Sequence, residues 1–106
     1  MRDDRSIEAW TSEELIERYW KDFVFDCHGF EAKFSRSEAR KEIVRRGKEM
    51  LFSISKYLKK EKPEGDIRIF WCRLLNSIEV KIDPKKTGPE SLKDLKAWIA
   101  WAEKFA

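Results

Sequence analysis

The chain has a single histidine, His28, set beside Asp26 and Cys27, and one further cysteine, Cys72. A nucleophilic thiol needs a base within hydrogen-bond reach. Adjacent helical residues point about 100° apart, so Cys27 and His28 do not face each other. A dyad would require the fold to carry His28 to Cys72. Zinc asks for three or four ligands, and Cys27, His28 and Cys72 offer no metal spacing. Paired carboxylates occur at Asp3-Asp4 and Glu13-Glu14. Those positions are flexible or in a first helical turn, where acids favour the helix dipole; general acid–base work needs a desolvated carboxylate. Lys85-Lys86-Thr87-Gly88 reverses the order of a phosphate-binding loop and lacks its strand and glycines. The inventory points to no reaction. No catalytic residue, no metal and no cofactor is expected, and the chain reads as a non-enzyme.

Side chains suited to binding are easier to find. Lys41, Arg45 and Lys48 cluster on the outer side of one helical segment, flanked by Glu38, Glu42 and Glu49, which blunt the field. Phosphate-backbone binding on such a face is the alternative to protein binding. A helix-turn-helix built on Gly47 fails, because it puts Ser53 and Lys56 where the core needs apolar residues. Arg40 projects between Ile43 and Val44, inside the apolar arc. A buried arginine needs a carboxylate, so it reads as an internal strut with Asp22 or Asp26 as partner. Phe25 and Phe52 fall opposite their helices' main apolar stripes. They either meet a second layer of the domain or stand exposed as anchors of the kind that dominate protein interfaces.

These residues belong to a chain of 106 residues and 12.7 kDa, long enough for one domain and too short for two. It is 42% hydrophobic with five Trp, which permits a core, while 4 Gly and 3 Pro argue against turn-dense all-β architecture. No apolar run is long enough for a membrane span, and none follows Met1–Arg5, so no signal peptide is expected. A cytoplasmic protein with reduced cysteines is the expectation. The first 32 residues hold nine acids against four bases although the whole chain is +3, so the remainder is markedly basic.

The elements that must position these side chains are helical throughout. Residues 1–10 form a loose lead-in in which Ile7 and Trp10 can dock, and residues 11–106 form one all-helical domain. Thr11 and Glu14 make a capping box ahead of Leu15, Ile16, Tyr19, Trp20, Phe23, Val24 and Cys27. Ser35 and Glu38 make a second box, before a helix with Ala39, Ile43 and Val44 inside. Gly47 is read as a break rather than the middle of one long helix. A third helix buries Met50, Leu51, Ile54, Tyr57 and Leu58 and runs out in the Lys59–Gly65 loop. Asp66 caps a fourth, apolar on two sides: Ile67, Phe70, Trp71, Leu74, Leu75 and Ile78 on one, Ile69, Cys72 and Val80 on the other. Such a helix is central. Residues 78–82 alternate and leave a short strand as the lesser option. Thr87 and Glu90 form a third box, opening a helix with Leu92, Leu95, Trp98, Ile99, Ala102 and Phe105 inside and Lys93, Lys96 and Lys104 outside.

The run from Ala39 through Gly47 to Leu58, with its Ile-x-x-x-Gly ending and the stripe Ile54, Tyr57, Leu58, resembles a HEAT-like repeat unit. Phe70 to Ile78 looks like the first helix of a next unit, and Trp98-Ile-Ala-Trp101 is similar to the Trp-rich ends of small bacterial proteins of that type. The resemblance implies a helical scaffold that binds a protein partner, and it carries over no catalytic residue.

The expectation is therefore an all-α domain of about five helices, as stacked helical hairpins or a compact bundle. Its role would be protein binding, as an adaptor or a small bacterial inhibitor of the immunity-protein or antitoxin kind. Phe25, Phe52, Lys41, Arg45, Lys48 and Trp101 are the expected contact residues, and Arg40, Gly47, Trp71 and Trp98 the structural ones. A homodimer is left open, and a nucleic-acid partner on the basic faces of the second and fifth helices is the alternative.

Overall fold

Five helices are present among the residues that the computed structural model describes, which are 6–25 and 37–105, the side chains of Val24 and Phe25 excepted. A single 3-10 turn, Ile7–Ala9, precedes α1 (Ser12–Phe25). The order continues with α2 (Glu38–Arg46), α3 (Lys48–Glu61), α4 (Asp66–Ile82) and α5 (Leu95–Phe105). They form an all-α bundle with a radius of gyration of 13.1 Å. None of these helices is long and apolar enough to cross a membrane.

Local chemistry starts the helices. The Thr11 amide donates to Glu14 Oε1 at 2.9 Å and the Glu14 amide to Thr11 Oγ1 at 3.2 Å, so two amides at the start of α1 are satisfied reciprocally. Ser37, rather than Ser35, caps α2: its hydroxyl accepts from the Arg40 amide at 3.1 Å. Ser35 and Arg36 lie outside the described residues. Gly47 separates α2 from α3 at φ 59°, ψ −120°, a conformation that residues with a Cβ rarely adopt. The Lys81 ammonium, reaching over from α4, donates to the Val44 and Arg45 carbonyls at the end of α2. α3 extends through Glu61 and ends on left-handed Lys62, and α4 begins after Gly65, with Asp66 in its first turn rather than at the cap.

The lesser option of a strand at residues 78–82 is not taken, and one expectation about the second half is corrected. Residues 78–82 are helical: Ile78 and Ile82 are one turn apart on the inner face, and Glu79 turns inward as well. α5 starts at Leu95, eight residues beyond Thr87. Thr87 does not cap a helix, because its amide and hydroxyl both donate to Asp83 Oδ2, at 2.8 and 2.5 Å. Asp94 caps instead, its carboxylate accepting from the Ala97 amide at 3.1 Å.

The core centres on α4. Phe70, Trp71, Cys72, Leu74, Leu75 and Ile78 are all fully buried. Tyr19 of α1 stacks on Phe70 with centroids 4.2 Å apart and meets Trp71 edge-on at 4.8 Å; Tyr57 of α3 reaches Trp71 at 5.3 Å. α2 and α5 pack against α4 as well. Aromatic pairs of this kind add about 0.5–1.5 kcal/mol each beyond area burial. The Tyr19 hydroxyl donates to the Phe70 carbonyl at 2.5 Å, and burial raises its pKa well above that of a free phenol, keeping the donor proton in place. Trp71's indole N–H has no acceptor among the described residues, a cost of about 1–3 kcal/mol carried by the packing of its ring. Val80, expected on a second apolar face, is 66% exposed.

A Cβ placed on Gly47 would stand 3.3 Å from Ile82 Cγ2, in a backbone conformation that side chains disfavour. Gly47→Ala is expected to cost about 1–3 kcal/mol, read as a lower urea midpoint with an unchanged helical circular-dichroism spectrum.

Candidate functional site

The basic face of α2 turns out to be occupied by its own acids. Glu42 is 5% exposed and accepts from Arg45 Nε and Nη2 at 2.7 and 2.6 Å and from Arg46 Nε at 2.7 Å. Lys41 Nζ lies 3.3 Å from Glu38. Arg46 Nη2 donates onward to the carbonyls of Trp10 and Glu8, at 2.7 and 3.1 Å. One guanidinium thus fastens the lead-in to α2. Hydrogen bonding from Arg45, and after it from Arg46, outweighs desolvation and brings the Glu42 carboxyl down to about 2. Glu42 stands in the sequence as one acid among several flanking a basic stripe. Arg46, one of its donors, is itself held by carbonyls more than thirty positions away.

Arg40 is half-buried, near enough to Tyr19 for its charge to act on that phenol. Asp22, the expected partner, accepts from Ser37 Oγ at 2.6 Å and Arg18 Nε at 3.0 Å; Asp26 lies outside the described residues. Trp71 and Trp98 are fully buried. Trp101 is not a surface anchor: it is 5% exposed, packed edge-on to Trp98 at 5.4 Å, with its indole N–H 3.4 Å from Asp83 Oδ2. It lies on the inward face of α5 and belongs to the core. The Phe25 side chain, Cys27 and His28 fall outside the described residues.

Phe52 is different. Its ring is 65% exposed, the most open large aromatic among the described residues. It stands on α3 between two hollows. One, of about 670 Å³, runs between α1 and α3 over Ile16, Trp20, Tyr57 and Ile67, with Glu13 and Glu17 on the α1 bank and Lys56, Lys60 and Glu61 on the α3 bank. The other, of about 630 Å³, is bounded by Arg46, Gly47, Lys48, Lys81 and Ile82. Of the expected contact residues, Phe52 and Lys48 therefore come together, while Lys41 and Arg45 remain on α2 with their carboxylates. Ile16, Trp20 and Tyr57 read in the sequence as core. They do face inward, but each shoulder left at the α1–α3 seam forms part of the groove wall.

The groups with potential chemistry are otherwise engaged. Cys72 is fully buried, and desolvation pushes its thiol up to about 12, far from a thiolate at neutral pH. Glu79 and Asp83, one turn apart at the end of α4, form a buried carboxylate pair that the sequence pattern did not reveal. Glu79 Oε2 accepts from the Gly88 amide at 2.5 Å, and Asp83 accepts from the Lys85 and Thr87 amides and the Thr87 hydroxyl. Hydrogen bonding from Thr87, above all its hydroxyl, lowers the Asp83 pKa. Both acids hold the connector to α5. Among the described residues no group of three or more His, Cys, Asp or Glu is placed to hold a metal.

Fold and surface together define a five-helix all-α protein with an aromatic-lined groove. The chain matches no protein-family model. No curated protein and no solved structure matches it either.

The Glu42 network fixes an acid response. Because the folded carboxyl titrates near 2 and an unfolded one near 4.5, its stabilisation is complete above about pH 4.5 and is lost as pH falls through about 2. Glu42→Gln is expected to cost about 1–3 kcal/mol at neutral pH. It should also flatten the fall in unfolding free energy across that acid window, measured by urea titration at stepped pH.

Proposed function

We propose that this chain is a non-enzymatic protein-binding domain that engages its partner through Phe52 and the groove between α1 and α3. The exposure of Phe52 carries the reading. A lone exposed apolar side chain is ordinary, but this ring joins two hollows and borders Trp20 and Tyr57. Buried aromatic anchors dominate the energy of protein interfaces. Acids on α1 face Lys56 and Lys60 on α3, with Glu61 beside them, which gives the groove a mixed polar rim suited to setting register. The finer readings follow: an adaptor or small inhibitor of the immunity-protein or antitoxin kind, working in the cytoplasm, with the α2–α3 pair as a HEAT-like hairpin turned at Gly47. Nucleic-acid binding on α2 is the weaker reading, since Arg45 and Lys41 already sit on Glu42 and Glu38.

Immobilised wild-type protein and Phe52→Ala, incubated with nuclease-treated native lysate, give the test. Wild type should retain a defined protein that Phe52→Ala retains at least about tenfold less, with the two melting temperatures equal because the ring is exposed. Retention indifferent to Phe52, or nucleic acid as the retained species without nuclease, would overturn the proposal.

A further inference from the structure

Another groove, of about 730 Å³, opens where the end of α3, the start of α4 and the approach to α5 meet. Its apolar wall is aliphatic: Leu58, Pro63, Leu95 and Ile99. Lys59, Lys62, Arg68, Lys93 and Lys96 stand around it, against only Glu64 and Asp94. Lys59 is held by Glu103 at 2.8 Å, and the Asp94 carboxylate is engaged as the cap of α5. Lys62, Lys93 and Lys96 are exposed and make no ion pair among the described residues. Cations from three chain segments therefore surround one hollow. This contrasts with α2, where neighbouring carboxylates take up the charge. Low-dielectric walls concentrate the field of such a cluster, and an anion entering the hollow relieves the mutual repulsion of the lysines.

We propose that this groove binds an acidic peptide segment bearing aliphatic side chains. Its carboxylates meet Lys62, Lys93, Lys96 and Arg68, and a leucine-like side chain covers Pro63 and Ile99, the half-buried part of the wall. The sign of the charge selects an anion. The wall selects a peptide over single-stranded nucleic acid, which gains much of its affinity by stacking bases on aromatic rings: no aromatic residue lines this hollow. The site shares only Pro63 with the Phe52 groove, and neither Phe52 nor the α1 bank lines it, so the two proposals stand or fall separately.

Fluorescence anisotropy on the full chain tests it, with a fluorescein-labelled peptide of repeated Leu-Glu-Glu as probe. An all-Glu peptide of equal charge and a labelled oligouridylate are the comparators. The Leu-Glu-Glu peptide should bind, with the all-Glu peptide at least about fivefold weaker because it leaves the aliphatic wall uncovered. Lys93→Glu combined with Lys96→Glu should weaken binding at least about tenfold, and Phe52→Ala should leave it unchanged. Acids near the start of α5 suit its dipole, so the double variant is expected to keep its melting temperature; Lys62→Glu, on a separate segment, should weaken binding in the same direction. No binding of the Leu-Glu-Glu peptide, binding indifferent to both charge reversals, equal affinity for the all-Glu peptide, or tighter binding of oligouridylate would each overturn the proposal.

Discussion

Phe70 and Trp71 are neighbours on α4, and consecutive helical positions point about 100° apart. Cover for both rings is shared between helices. Tyr19 stacks on Phe70, Phe23 tilts against it at 4.8 Å, and Trp71 is met edge-on by Tyr19 and from another side by Tyr57. α1 and α3 are thereby drawn to the same stretch of α4. Each sends a tyrosine there, and the seam between their shoulders is the groove that Trp20 and Phe52 border. The surface read as functional is in this sense a by-product of covering two adjacent aromatic side chains.

Helical spacing carried most of the architecture. The apolar stripes of α3 and α4, the Thr11–Glu14 box and the Gly47 break are local features, set by residues within one or two turns of each other. The features that local pattern missed are those decided by a competitor. Thr87 has the right spacing to Glu90 for a cap, yet Asp83 reaches it first. Trp101 looks like one aromatic too many for α5 until the connector folds back and its indole finds the same carboxylate. On the surface, the α2 stripe was visible because its charges are contiguous, but the anchoring of Arg46 to the lead-in was not, because its partner carbonyls lie more than thirty positions away. The cations around the α3–α4–α5 hollow come from three segments, so no window of sequence contains them together. Phe52 was open to two outcomes, a second layer or solvent, and only the assembled bundle chose solvent.

Charge is distributed by the same logic. Arg45 and Arg46 converge on one buried carboxylate, and Lys81 closes the end of α2. Those cations are spent on holding elements together. Lys62, Lys93 and Lys96 are bound to no carboxylate in the described structure, and they supply local positive field where three segments meet. The net charge of +3 says little about this division. Which cations are already neutralised matters more than how many the chain has.

The carboxylates of Glu79 and Asp83 sit at the negative end of α4, where the helix dipole opposes them. They persist because the amides of Lys85, Thr87 and Gly88 are turned toward them. The connector is consequently not a passive tether. Peeling it away would take from both carboxylates the donors that offset the dipole. The segment between α4 and α5 is fastened to the end of α4 at both carboxylates, and detaching it costs the hydrogen bonds of three amides and one hydroxyl.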